Sequence, residues 1–392
     1  MNNRIRTSIA ALVVSSVLGA AQEIAPGRAP IAAPSGQPGL QYRYYEANVD
    51  TTLDLSLAEP VRNGTIETFS FPEGIRRDYF GLEFWGAIEV PVDGSYTFYT
   101  RSDDGSRLYI GERCVVLNDY PHGPTEASGT IVLEAGRHPI LVTYFETYVG
   151  EMLAVSWEGP EIRKAAVPPG VLTQHDRLTV TAPSALTTTR LSWPGREFTL
   201  AVQVDTRDAV DLVDFHATLP GVLREHYPKI VDIVGVEGAA LPDKIRFSFR
   251  PGIKVPAYAG RGIVMSADWF RKRPGDLGCA IHELAHIVQR YPNFQGKPGW
   301  LVEGIADYVR HKVGLDDGWR IPQKYRESFR YTSGYGVTAA FLVFVETHHD
   351  RDLVATMNRA LKAKSYTPEL WQTCTGKPLD ELWQDFATRY GK

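Results

Sequence analysis

Short runs of alternating apolar and polar residues occupy the chain from Gly39 to about Leu172. Examples are AIEVPVDGSYTFYT, GTIVLEAGRHPILVTYFE and MLAVSWEG, which are separated by turns rich in Gly and Asp. Alternation with a period of two is typical of half-buried β-strands, and strands at this spacing favour a β-sandwich. We therefore predict an all-β domain over residues 39–172.

A helical spacing of apolar residues replaces this alternation in the C-terminal half. In GWLVEGIADYVRHK, residues 299–312, Leu301, Ile305 and Tyr308 recur at the period of a helix. Helices are also predicted in GVTAAFLVFVETHH, RDLVATMNRALKAK and LDELWQDFATRY, and a strand in the earlier FTLAVQVD. Pro220 is expected to break a helix near VDFHATLPGVLREHY. We predict an α+β domain over residues 195–392, preceded by a Thr-rich connector at 173–194.

The first 21 residues have the pattern of a secretory signal peptide. Arg4 and Arg6 precede an apolar stretch, and small residues precede an expected cleavage after Ala21. The stretch is too short for a stable membrane span, and no other stretch approaches its length. The mature protein is therefore expected to lack a span and to be secreted, periplasmic or on the cell surface. Residues 22–38, rich in Pro, Ala and Gly, are expected to be a linker.

The composition fits two separate domains. A chain of 392 residues with 43% hydrophobic content can bury two cores. The net charge of -4 and the lack of a basic run give no reason to expect nucleic-acid binding. Three cysteines form no metal-binding pattern. Since export permits a disulfide, Cys279 with Cys374 is the candidate pair.

The segment HELAH, residues 282–286, is a candidate zinc motif. Residues four apart on a helix share one face, so His282 and His286 can bind one ion together. The neighbouring Glu283 can accept a proton from a water that the metal activates. The alternative is an amphipathic helix that carries these residues by accident.

Two carboxylates on the predicted helix at 299–312 make that alternative less favourable. Glu303 and Asp307 stand four apart, and an antiparallel arrangement of the two helices would direct Glu303 toward the histidines. A catalytic zinc has three protein ligands and an open position, which this set supplies. Asp307 is then placed to accept the remaining N–H of a ligand histidine. A solvated helix face is the alternative for this pair.

The second half resembles gluzincin-type zincins and, more closely, the basic secretory protein family of metallopeptidases in plants and bacteria. The segments that carry the resemblance are VDTRDAV, CAIHELAHIVQ, GWLVEGIADYVR and SGYGVTAAFLVFVE. The resemblance implies zinc ligands at His282, His286 and Glu303, with Glu283 as catalytic base. It also implies that either Tyr335 or Tyr331 stabilises the oxyanion, with Tyr335 favoured. The implied substrate-binding edge strand comprises Gly262, Ile263, Val264, Met265 and Ser266. The alternative for this segment is an ordinary core strand.

The first half resembles the protective-antigen-type module (the PA-fourteen domain). The segments are GLQYRYYE, FWGAIEVPVDGSYTFYTRSDDGSRLYIG, SGTIVLEAGRHPILVTYFE and LAVSWEGP. Some members of that family bind glycans through calcium held by a consecutive Asp pair, which corresponds to Asp103 and Asp104. Carboxylate oxygens suit calcium, although Asp-Asp-Gly is also a common hairpin turn. Asn118 or Asp119 could supply further ligands.

Two functions are therefore considered. The first is a secreted zinc peptidase whose β-sandwich binds a glycan or directs the enzyme to its target. The second is a cell-surface carbohydrate-binding protein in which the zincin-like half is an inactive scaffold. An intact ligand set with a neighbouring base favours the enzyme, which would act on a peptide or protein.

Overall fold

The computed structural model describes residues 28–31, 36–177 and 185–390. The predicted signal peptide, 1–21, and most of the predicted linker lie outside the described residues. The chain divides into two compact units, Met1–Thr181 and Ala182–Lys392. No helix among the described residues combines the length and the apolar character that crossing a bilayer requires.

The described part of the first unit forms two antiparallel sheets. The strand order is β2-β1-β3-β8-β5-β6 in one sheet, with β11 also paired to β3, and β10-β9-β4-β7 in the other. The predicted all-β architecture is confirmed. The strands are β1 Leu40–Tyr45, β2 Arg62–Ile66, β3 Phe80–Val90, β4 Gly94–Asp103, β5 Ser106–Ile110, β6 Arg113–Asn118, β7 Thr125–Leu133, β8 Gly136–Glu146, β9 Met152–Gly159, β10 Ile162–Ala166 and β11 Leu172–Thr173.

The alternation seen in the sequence places one face of each sheet in a shared core. Phe98 and Trp157 of one sheet are buried in the same apolar cluster as Phe84 and Val142 of the other. Burial of this apolar surface is the main stabilising term for such a sandwich.

The second unit combines one mixed sheet with helices. Its sheet order is β12-β13-β14-β16-β15, in which β13, β14 and β16 are parallel and the two outer strands antiparallel to their neighbours. The strands are β12 Leu186–Ser192, β13 Thr199–Asp205, β14 Lys244–Arg250, β15 Ala257–Ala259 and β16 Ile263–Ser266. The helices are α1 Phe215–Val234, α2 Ala267–Lys272, α3 Gly278–Gln289, α4 Gly299–Val313, α5 Tyr335–His348, α6 Leu353–Lys362, α7 Glu369–Thr375 and α8 Leu379–Arg389.

The structure differs from two expectations about where elements begin and end. The predicted connector, 173–194, contains β12, which pairs along its whole length with β13. Its threonines are β-branched and therefore suit a strand at the edge of a sheet. Helix α1 continues through Pro220 and through Pro228. The Arg224 carbonyl, which Pro228 cannot bond, accepts the indole N–H of Trp193 at 2.7 Å.

The segment that was predicted to be the edge strand is instead an inner strand of the sheet. Residues 263–266 form β16, which lies inside the sheet between β14 and β15. The chain reverses at Gly260–Gly262, so that β15 folds back and covers the free side of β16. At the end of the sheet opposite β12, the edge strand is therefore β15, Ala257–Ala259, which comes just before the predicted segment.

Close helix packing holds α4 against α5. A Cβ atom at Gly304 would lie 2.2 Å from Cγ2 of Thr338, far inside van der Waals contact. Thr338 is fully buried on α5, and glycine is the residue that lets the two helices approach this closely. Gly304 follows Glu303 directly, so this contact also sets the position of a candidate ligand.

Candidate metal centre and cleft

Helices α3 and α4 bring the three predicted zinc ligands together. Nε2 of His282 lies 3.1 Å from Nε2 of His286 and 3.2 Å from Oε2 of Glu303. Nε2 of His286 lies 3.5 Å from the same carboxylate oxygen. Zinc–ligand bonds of about 2.0–2.1 Å at tetrahedral angles would separate ligand atoms by about 3.3 Å. The donor set therefore fits a zinc ion in both chemistry and spacing.

Both imidazole rings are oriented by hydrogen bonds from their other nitrogen. His282 donates Nδ1–H to Oδ1 of Asp307 at 2.6 Å, the contact that was expected from the spacing on α4. His286 donates Nδ1–H to Oε1 of Gln289 at 3.0 Å. The sequence analysis missed Gln289, although its position three residues after His286 on the same helix was a usable signal. In the neutral form of each ring, Nε2 therefore carries the lone pair, and it faces the other ligands.

The charged side chains of this cluster shift one another's pKa values. Burial opposes the charged form of His282, but hydrogen bonds to Asp307 and Glu303 outweigh it and raise its pKa to about 9. Burial also opposes ionisation of Glu303, yet the two histidines lower the pKa of its carboxyl to about 2. The pKa of Glu283 is raised, chiefly because the carboxyl is desolvated.

Glu283 lies in a cleft of about 730 Å³ together with the ligands. Its carboxylate accepts a hydrogen bond from the backbone N–H of Ala259 on the edge strand. This contact fixes Glu283 between the edge strand and the ligand atoms. The cleft is lined by Val255 to Ala259 on one side and by residues of α3, α4 and the start of α5 on the others.

The outer edge of β15 faces this cleft. Ser266 donates its N–H to the carbonyl of Pro256, and Gly260 donates to Gly262, so these residues bond toward β16. Alternate residues of an antiparallel strand point their backbone groups to opposite sides. The N–H and C=O of Ala257 and the C=O of Ala259 are therefore directed away from β16, where an extended peptide could pair with them. The Ala259 N–H points to the same side but bonds to Glu283.

The two candidate tyrosines have different surroundings. Tyr335 lines the cleft, is 57% exposed and has its ring 5.9 Å from that of His282. Its φ of 48° is uncommon for a residue other than glycine, and the charge of Glu303 raises its pKa. Tyr331 instead packs edge-on against Trp300 and Trp383 and is not among the residues that line the cleft. The geometry therefore favours Tyr335.

An ion-pair network ties the start of α3 to the end of α4. Nη2 of Arg310 donates to Asp276 at 2.8 Å and to Asp317 at 2.7 Å. Asp317 also accepts the backbone N–H of Gly278, the first residue of α3. Cys279, the next residue, donates its thiol to the carbonyl of Asp276. No disulfide joins it to Cys374, so that predicted pairing is wrong for this structure.

The first unit contains a buried acidic cluster at the predicted calcium position. Carboxylate oxygens of Asp103, Asp104 and Glu146 lie within 4.8 Å of one another. Burial and the charge of Asp104 raise the pKa of Glu146 to about 7, and its Oε1 has no hydrogen-bond partner among the described residues. Asp104 accepts hydrogen bonds from the backbone N–H groups of Thr147 and His122. Glu146 was missed because it lies at the end of β8, four strands after Asp104 in the chain.

The other suggested calcium ligands have structural partners. Asp119 is fully buried and pairs with Arg107 at 2.5 Å, and it accepts a hydrogen bond from Thr51. The side-chain amide of Asn118 donates to the carbonyls of Thr100 and Thr125. The contacts of Asp119 account for its carboxylate without a metal, and it is not part of the cluster. Those of Asn118 involve only its amide nitrogen, so its oxygen as a calcium ligand stays a prediction.

Comparison with known protein families agrees with this division of the chain. Residues 260–386 match the family described as a peptidase of plants and bacteria. Residues 36–170 match the PA14 domain, the protective-antigen-type module. Both resemblances seen in the sequence are confirmed. The peptidase match begins later than residue 195, so the VDTRDAV segment lies outside it.

Individual relatives cover only part of this chain. The anti-sigma-I factor RsgI3 of Acetivibrio thermocellus is 28% identical over 144 residues, which are 35% of this chain and 22% of that protein. An anti-sigma factor domain-containing protein from Clostridium clariflavum is 27% identical, with a TM-score of 0.31 over 38% of this chain and 52% of that one. A PA14 sugar-binding domain from an RTX adhesin is 15% identical, with a TM-score of 0.32 over 36% of this chain and 99% of that one. The chain thus spans about a fifth of the first relative and half of the second.

Proposed function

We propose that this protein is an exported zinc-dependent peptidase that carries a calcium-dependent glycan-binding or targeting module. The observation that carries the peptidase assignment is the triangle of His282, His286 and Glu303, whose ligand atoms are 3.1–3.5 Å apart while both Nδ1 atoms are bonded elsewhere. The signal-peptide pattern of the first 21 residues supports export.

Each of these cleft residues has a separate role in the proposed reaction. Bound zinc would supply a Lewis acid that lowers the pKa of a water to about 7. Glu283 accepts a proton from the attacking water and transfers it to the leaving amine. The Tyr335 hydroxyl donates to the oxyanion that forms on the scissile carbonyl. The outward N–H and C=O of Ala257 and the C=O of Ala259 hold the peptide extended across the cleft.

The acidic cluster of the first unit supports the second part of the proposal. Three buried carboxylates are costly unless a cation or protons neutralise them. Calcium prefers oxygen ligands of this type, and Asp103, Asp104 and Glu146 provide them. We infer that calcium binding here is coupled to recognition of a glycan.

The decisive experiment replaces the proposed base. In Glu283→Gln we expect cleavage of a peptide library to fall by at least about 1,000-fold while one zinc per chain is retained. Glu237→Gln, an exposed change outside the cleft, is the matched control and should leave turnover unaltered. Equal turnover in both variants would remove Glu283 from the reaction. No cleavage by the unaltered zinc-loaded protein would favour the carbohydrate-binding protein with an inactive scaffold.

A further inference from the structure

The two candidate ligand histidines are oriented by different chemical groups. His282 uses the carboxylate of Asp307, whereas His286 uses the neutral amide oxygen of Gln289. Gln289 is only 1% exposed, so water does not compete for this hydrogen bond. We propose that Gln289 is a positioning residue for the metal centre, which holds the His286 ring with Nε2 toward the ion. This inference rests on the proposed zinc site.

The nitrogen end of the Gln289 amide lies beside Tyr291, which follows the end of α3. Tyr291 donates its hydroxyl to Oδ1 of Asn358 at 2.7 Å, and the Asn358 amide donates to the carbonyl of Val234 at 3.1 Å. Burial raises the pKa of Tyr291, and the neighbouring Gln289 amide opposes that rise. Nε2 of Gln289 thus faces the Tyr291 oxygen. This nitrogen forms no hydrogen bond with any described residue. Two neutral side chains, Tyr291 and Asn358, thus join the segment after α3 to α6 by a hydrogen bond.

Packing alone does not account for a glutamine at this position. A buried carboxamide loses its hydration and stabilises the fold only as far as its hydrogen bonds replace it. An apolar side chain of similar shape would fill the same space without that cost. The bond that Gln289 does make is directed at the one ring N–H whose orientation determines where Nε2 points.

The neutrality of the amide also has a physical consequence. The carboxylates of Glu283, Glu303 and Asp307 already line the cleft. A carboxylate at 289 would orient the same ring but add a fourth negative charge next to the ion. The amide supplies the acceptor without that charge. Gln289→Glu should therefore keep zinc binding, whereas Gln289→Met, which has a similar shape but lacks the acceptor, should weaken it.

The test uses the full chain in four forms: unaltered, Gln289→Met, Gln289→Glu and the exposed control Gln372→Met. Zinc dissociation constants are measured by competition with a chelator of known affinity. We expect Gln289→Met to bind zinc about 10- to 100-fold more weakly, and Gln289→Glu to stay within about threefold of the unaltered protein or bind more tightly. Gln372→Met should bind normally. Thermal unfolding of the metal-free forms should agree within about 3 °C.

The following results would contradict the positioning role of Gln289. Unaltered zinc affinity in Gln289→Met would overturn the positioning role while leaving the zinc site intact. Equal weakening in Gln289→Met and Gln289→Glu, with a lower melting temperature in both, would show that the residue only supports the fold and would also overturn it. Failure of the unaltered protein to bind zinc would instead refute the proposed function, and this inference with it.

Discussion

Oδ1 of Asp307 lies 2.6 Å from Nδ1 of His282, and both side chains are almost completely buried. The two residues belong to α4 and α3, so the bond joins the two helices at the level of the candidate ligands. A buried hydrogen bond to a carboxylate is shorter and stronger than one between neutral groups. It fixes the ring and leaves Nε2 as the candidate metal-binding atom.

Removing this carboxylate should weaken metal binding. We expect Asp307→Ala to lower zinc affinity by about 10- to 100-fold, and Asp307→Asn to lower it less, because the amide oxygen can still accept the N–H. Isothermal titration of the metal-free protein with zinc measures the change. Asp316→Asn, at an exposed position, is the control. Zinc affinity that is unchanged in Asp307→Ala would contradict the orienting role.

Replacing the two tyrosines separately tests which one acts on the substrate. Tyr335→Phe should lower kcat by about 100-fold with zinc content and KM little changed, because the hydroxyl would bond mainly to the oxyanion. Tyr331→Phe, whose ring stays in its aromatic cluster, should leave kcat unaltered. Steady-state kinetics on one cleaved peptide distinguishes them. The reverse result would assign the role to Tyr331.

Glu146 should make calcium stabilisation of the first unit dependent on pH. Its pKa is about 7 in the folded chain and near 4.5 when unfolded, so the native state binds more protons between these values. Stability should therefore fall as the pH rises from 4.5 to 7, by up to about 3 kcal/mol. Calcium replaces the proton and should raise the melting temperature more at pH 8 than at pH 5.

Thermal unfolding of metal-free protein, with and without added calcium, measures this difference. In Glu146→Gln the fall in stability between pH 4.5 and 7 should become smaller, because that side chain no longer ionises. The raised pKa of Asp103 in the same cluster leaves part of the fall. Equal calcium shifts at pH 5 and pH 8 in the unaltered protein would contradict the linkage. Absence of any calcium shift at either pH would contradict the calcium site itself.

The contact between α4 and α5 predicts an unusual response to alanine. Gly304→Ala should destabilise the second unit by about 1–3 kcal/mol, since the new methyl group would overlap Thr338. Gly221→Ala in α1 meets open space and should instead stabilise by about 1 kcal/mol through helix propensity. Urea unfolding of both variants gives the comparison. A Gly304→Ala variant that is as stable as the unaltered protein, or more stable, would show that the close approach is not a constraint.

The sequence was sufficient for what depends on local periodicity. Alternation with a period of two predicted the β-sandwich, and a period of 3.6 predicted α4 within one residue of its observed end. The positions of His282, His286, Glu303 and Asp307 also followed from periodicity, because residues four apart must share a face of a helix. These predictions needed no knowledge of contacts between distant residues.

Other features depended on which distant segments meet. The edge of the second sheet is β15 rather than β16, because the chain folds back at Gly260–Gly262 and adds one more strand. Glu146, at the end of β8 in one sheet, meets Asp103 and Asp104, at the end of β4 in the other sheet. Tyr335 rather than Tyr331 reaches the cleft. Strand pairing and helix packing are determined by contacts between residues far apart in the chain. Periodicity does not show which strands pair or which tyrosine ring lies in the cleft.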